Sequence, residues 1–99
     1  MPFRAEFANS MKSGIKTVTS RTFKKTVGDT FTAFDMEFMI TAVERRTLGF
    51  VRDFQWKEEG CSSPADFVRI WNEIHPIKGF DEKQMINLHR FRFLELSAH

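Results

Sequence analysis

Apolar residues recur along this chain at two different periods, and the changes of period divide it into elements. Phe3, Phe7 and Met11 fall on every fourth position, with Ala8 beside them, which predicts a short amphipathic helix near residues 4–13. Gly14 follows its last turn, where a left-handed C-cap calls for glycine. Thr17, Val18 and Thr19 then favour extended backbone. Past Lys24-Lys25, the Val27-Gly28-Asp29 turn introduces a strand over Thr30–Phe34, and Asp35 marks a turn before a second strand over Met36–Glu44. There Met36, Phe38, Ile40 and Ala42 alternate with Glu37, Met39, Thr41 and Val43, so the first set is expected to face the core.

The middle of the chain turns helical. Leu48, Val51 and Phe54–Trp56 fit one or two short turns. Ser63-Pro64-Ala65-Asp66 is a helix start: Ser63 caps, Pro64 fits the first helical position, and Asp66 stands three residues after the cap. Phe67, Ile70, Trp71 and Ile74 make the apolar face of a helix that ends at His75-Pro76. Pro76–Lys83 reads as a loop, and Gln84–Leu96 as a strand with His89, Phe91 and Phe93 on one face and Arg90 and Arg92 on the other. Ile86 and Leu88 have the opposite parity to Phe91, so a bulge or a barrel bend is expected near Leu88–His89. Helix, strands, helices and strand in that order define an α+β fold, a small curved sheet or open barrel with helices packed on it.

Ninety-nine residues are enough for a single core and too few for two. Twelve Phe, two Trp and no Tyr put most of the ring area into core packing, because phenylalanine has no polar handle. The lone Cys61 excludes an internal disulfide, Met1–Ser13 has no apolar leader segment, and no apolar run approaches the roughly 20 residues that span a bilayer. The expected protein is cytoplasmic and makes no membrane contact. His75, His89 and His99 share no ligand spacing with one another or with Cys61, so neither a metal nor a cofactor is expected. Gly28 stands alone and makes no phosphate loop.

Net charge is +2, but it is unevenly placed. Lys12, Lys16, Arg21, Lys24 and Lys25 fall within residues 7–28, which hold no acid, while residues 29–99 sum to −3. A basic segment on a mildly acidic body fits either a phosphate-facing surface or an ordinary solvated one. Within it, Gly14-Ile15-Lys16-Thr17-Val18-Thr19-Ser20-Arg21 sets a lysine, hydroxyls and an arginine beside a glycine that lets the backbone turn. Lys16 fits an anion contact, a catalytic amine or a complement to the helix dipole. Trp56 is a candidate for stacking on a base, whereas Trp71 lies on the apolar helix face.

The spacing Gly14-x-Lys16-Thr17-x-Thr19-x-Arg21 resembles the ASCH (activating signal cointegrator homology) family of the PUA-like superfold. So do the later Gly28-Asp29 turn, Glu59-Gly60, the capped helix with Phe67 and Trp71, and the final strand with Phe91. The resemblance covers nearly the whole chain. It implies a single domain over residues 1–99, a PUA-like small curved β-barrel with flanking helices, and a cleft around the octet that binds RNA or a nucleoside. One branch, short bacterial amidohydrolases of N(4)-acetylcytidine, implies catalytic roles for Lys16, Thr19 and Glu59, with Arg21 close by. Ser20 stands where that branch has a branched apolar residue, and Glu59-Gly60 where it has a Glu-Asn pair.

In that scheme Lys16 is the base, which requires its pKa to fall by several units from about 10.4. Thr19 attacks the acetyl carbonyl, Glu59 passes a proton to the departing amine, and Arg21 or backbone N–H groups hold the oxyanion. Residues i and i+3 of a strand point to opposite faces, so the triad needs Lys16 to lie in the Gly14 turn, before the strand begins. Glu58 is the competing acid. Three readings are therefore carried forward. The first is an RNA- or nucleoside-binding module using Lys16, Arg21, Lys24, Lys25 and Trp56. The others are the amidohydrolase and a protein-interaction domain with an exposed Phe patch.

Overall fold

The structure, a computed structural model, describes residues 1–97, so His99 lies outside the described residues. A 3-10 turn at Ala5–Phe7 runs into α1, Ala8–Ser13, and buries Phe7 and Met11. Gly14 caps α1 in the left-handed region with φ 81°. β1 covers Val18–Arg21, β2 Thr30–Ala33, and β3 Met36–Thr47. α2, Leu48–Phe50, continues into a π turn over Val51–Gln55. α3, Pro64–Ile74, starts as its cap signals predict, with the Ser63 hydroxyl accepting the Asp66 N–H at 3.0 Å. β4, Met85–Leu96, is the last strand.

The four strands form one antiparallel sheet in the order β1-β4-β3-β2, curled into a half-barrel against the helices. This is the α+β PUA-like architecture expected from the sequence. β2 ends one residue before the predicted Phe34. Phe34 and Asp35 both take positive φ, 54° and 59°, and make the tight hairpin turn to β3. The parity swap in β4 has its counterpart in the partner strand. Ile40 pairs with Phe91 but Ala42 with Arg90, so Thr41 is an extra residue in β3. Beyond that bulge the alternation of β3 is lost, and Ala42 is half-buried where Met36, Phe38 and Ile40 are buried.

The core lies between the curled sheet and the helices. Phe3, Phe31 and Phe38 stack there and Phe91 meets all three edge-to-face, with ring centroids 5.3–6.2 Å apart. This is the role expected of rings without polar handles. Phe67, Ile70 and Trp71 of α3 close the same core from the other side.

Candidate functional site

The octet begins with a backbone turn. After the Gly14 cap, the N–H groups of Ile15 and Lys16 both donate to the Ser10 carbonyl at 2.9 Å, and β1 begins only at Val18. Lys16 therefore precedes the strand, as the sequence argument required. The opposing wall comes from the segment after the π turn. The Glu58 carbonyl accepts N–H bonds from Thr17 at 2.8 Å and Val18 at 3.2 Å, which stitches this segment to the start of β1. The stitch fixes the two adjacent acids differently. Glu59 is buried, while the half-exposed Glu58 carboxylate turns away to pair with Arg90. Gly60 follows at φ 84°, and a Cβ there would stand 2.9 Å from the Lys16 Cβ. The lysine stem thus lies directly across the glycine.

Lys16 is 3% exposed and its amine donates to three oxygens. These are the Glu59 carbonyl at 2.7 Å, the Val18 carbonyl at 2.9 Å and Glu59 Oε1 at 3.2 Å. The Phe7 ring lies 4.5 Å from Nζ. Burial pushes the Lys16 pKa below its ordinary 10.5, against the opposing pull of the Glu59 charge and hydrogen bond. The other carboxylate oxygen, Glu59 Oε2, accepts the Ser20 hydroxyl at 2.6 Å. Lys16, Glu59 and Ser20 thus form a continuous chain of hydrogen bonds.

Thr19, 4% exposed, belongs to a different set of bonds. Its hydroxyl oxygen accepts from Arg21 Nε at 3.0 Å, and Arg21 Nη2 donates to the Pro2 carbonyl at 2.6 Å. The Arg21 guanidinium also lies 4.8 Å from the Phe3 ring. Burial lowers its pKa, opposed by the Glu59 charge. The two sets follow from strand geometry, because Val18 and Ser20 share one side of β1 while Thr19 and Arg21 share the other. Among the described residues, no hydrogen bond joins Thr19 to Lys16 or to Glu59.

A cavity of about 360 Å³ joins both sets. Lys16, Thr19, Ser20, Arg21 and Glu59 all line it, opposite an apolar wall that includes Phe7, Phe67 and Trp71. Its volume lies at the lower end of the roughly 300–1,000 Å³ typical of small-molecule sites. Lys24, Lys25 and Trp56 are not part of its lining. Both lysines are exposed on the loop beyond Thr22 and Phe23, which do line it, and Trp56 packs partly buried against the core. Two lining features were not assigned from sequence. One is the α3 face, where Phe67 and Trp71 were expected as core and the capping residue His75 follows at the same spacing of four. In it the Trp71 and His75 rings stack 4.3 Å apart. The other is Cys61, whose thiol is pushed up to about 12 by burial and the Glu59 charge, against the opposing Lys16 charge, and is therefore inert as a nucleophile. No group of His, Cys, Asp and Glu among the described residues is arranged to hold a metal, and no described helix is long and apolar enough to cross a membrane.

An α+β half-barrel with a largely apolar cavity, polar where it meets the first strand, defines the class. Solved structures then specify the fold. The crystal structure of a hypothetical protein, PH0355, matches with a TM-score of 0.70 at 12% identity, over 93% of this chain and 94% of that one. An ASCH domain from Lactobacillus crispatus matches with a TM-score of 0.65 at 19% identity, over 94% of this chain and 76% of that one. The chain therefore has the ASCH-like fold. No family model matches it, and no curated protein does.

Proposed function

We propose that this protein binds an acylated pyrimidine nucleoside in the cavity and hydrolyses its exocyclic amide. N(4)-acetylcytidine is the substrate implied by the ASCH resemblance. The observation that supports this most is the buried Lys16–Glu59 pair, 3.2 Å apart at the wall of a cavity of about 360 Å³. Removing two charges from water is unfavourable unless they are tightly paired, and such a pair facing a cavity is a poor investment for stability alone. The resemblance makes Lys16 the base, Thr19 the nucleophile and Glu59 the proton shuttle. Glu59 is the best placed of the three for its role, because its carboxylate touches both the amine and a hydroxyl. Arg21, which lines the cavity and is held by Thr19 Oγ1 and the Pro2 carbonyl, suits stabilisation of a carbonyl oxygen as it gains negative charge.

Incubation with N(4)-acetylcytidine is expected to release cytidine and acetate. Lys16→Ala and Glu59→Gln should each lower the rate roughly hundredfold to ten-thousandfold. Cytidine release that survives Lys16→Ala would remove Lys16 from the mechanism.

RNA binding is the second reading, favoured by the exposed Lys24 and Lys25, which form no ion pair among the described residues and follow directly on the cavity rim. It calls for retention of single-stranded RNA that weakens with salt, with a slope set by a few phosphates. Retention that is independent of salt argues against it.

A further inference from the structure

Two hydroxyls line the cavity side by side in β1, and they differ in what they touch. The Thr19 oxygen accepts a hydrogen bond from Arg21 Nε at 3.0 Å, and its own proton meets no acceptor among the described residues. The Ser20 hydroxyl donates to Glu59 Oε2 at 2.6 Å. A hydroxyl becomes a nucleophile when a base stands within hydrogen-bond reach of its proton and a third group holds that base in place. Ser20 meets both conditions, since Glu59 Oε1 is held by the Lys16 amine at 3.2 Å. Lys16 itself donates to three oxygens, so all three positions of its ammonium are occupied and none faces a hydroxyl as an acceptor.

From this contrast we propose that Ser20 is the nucleophile of the amide hydrolysis and that Glu59 is its base, with Lys16 as the residue that positions Glu59. The assignment rests on the amidohydrolase reading above and alters its chemistry. Ser20 Oγ forms a bond to the acetyl carbonyl carbon while its proton passes to Glu59 Oε2. The tetrahedral adduct collapses by breaking the bond to the exocyclic nitrogen, which takes that proton and leaves as the cytidine amine. Water then adds to the acetyl-Ser20 ester with Glu59 again accepting a proton. Collapse of the second adduct expels Ser20 Oγ, which regains its proton, and releases acetate. Thr19 lines the same cavity, but its hydroxyl oxygen is engaged by Arg21 Nε and helps to orient the guanidinium. Ser20 is also where this chain departs from the branched apolar residue of the enzymes it resembles, so the assignment belongs to this chain in particular.

The test compares Ser20→Ala, Ser20→Val and Ser20→Thr with the wild type in cytidine release, and maps any acetyl ester on acid-quenched enzyme by peptide mass spectrometry. Ser20→Ala and Ser20→Val are expected to lose roughly hundredfold or more in rate, and Ser20→Thr to recover part of it. An acetyl group on the peptide should map to Ser20. The valine variant carries a branched apolar side chain like that of the resembling enzymes and separates a lost hydroxyl from a lost fold, checked by an unchanged melting temperature. Wild-type turnover in Ser20→Ala, or an acetyl ester on Thr19, overturns the assignment while leaving the amidohydrolase reading intact. Absence of turnover by the wild type overturns both.

Discussion

Lys16 and the Lys24-Lys25 pair lie close together in one acid-free stretch of chain, and the fold treats them in opposite ways. Lys16 is buried, with its amine bonded to the Glu59 carboxylate and to two carbonyls. Lys24 and Lys25 are exposed, and their loop is held from behind through its own backbone groups, by side chains of β4. Asn87 Nδ2 donates to the Thr22 and Phe23 carbonyls at 3.2 Å, and His89 Nε2 accepts the Lys25 N–H at 3.0 Å. The inner lysine is part of a fixed network whose loss unbalances the core. The outer ones contribute a field that salt screens. A local sum of charges treats all three alike, but burial separates them.

The largest test of this contrast removes the counter-charge. Glu59→Ala leaves the Lys16 amine buried without its carboxylate and is expected to destabilise the protein by about 3–5 kcal/mol in urea denaturation. Joint replacement of Lys16→Met and Glu59→Leu should recover most of that loss, because an apolar pair has no desolvation penalty to offset. Lys24→Gln with Lys25→Gln should change stability by no more than about 0.5 kcal/mol. A Glu59→Ala loss as small as the loop's would mean that the inner pair is solvated.

Two glycines sharpen the same contrast. Gly60 and Gly28 both have left-handed φ, 84° and 95°, so alanine at either carries the conformational penalty of about 1–2 kcal/mol. An added Cβ meets nothing within 4 Å at Gly28 but comes within 2.9 Å of the Lys16 Cβ at Gly60. Gly60→Ala is therefore expected to exceed Gly28→Ala by a further ~1–2 kcal/mol, the overpacking share. Equal losses would show that the Lys16 stem yields freely.

Much of the fold could be read in advance because its signals are local. The Gly14 cap, the Ser63-Pro64-Asp66 helix start and the parity swap in β4 each depend on a few neighbouring residues, and each has its structural counterpart. The site was less legible because its contacts are remote in sequence. Ser20 and Glu59 meet across 39 positions, and only the backbone stitch from Glu58 to Thr17 and Val18 decides which of two adjacent acids turns inward. Burial of Lys16 is likewise a property of the Gly60 turn and the Phe7 ring rather than of its own neighbours. The Phe67, Ile70, Trp71 and Ile74 face reads as core by its period, and that period cannot say that a cavity lies against it.

The smallest effect expected comes from the loop side, through His89. Its imidazole is fully buried with Nδ1 unpartnered, and its pKa is lowered from 6.5. Burial is the main cause, and the Arg21 and Lys25 charges add to it against the backbone groups of Asn87 and Thr19. Below pH 6.5 the unfolded chain therefore takes up a proton that the native state resists, so native stability falls with pH from that point until the folded pKa is passed. A protonated Nε2 can no longer accept the Lys25 N–H, so the loop should respond before the inner network does. The decline in urea midpoint between pH 7 and pH 5 should be smaller in His89→Gln, whose amide oxygen accepts at every pH. The protection of the Lys25 amide against exchange, relative to its intrinsic rate at each pH, should fall with acid in the wild type alone. Identical pH profiles for the two proteins would assign the acid response to the carboxylates instead.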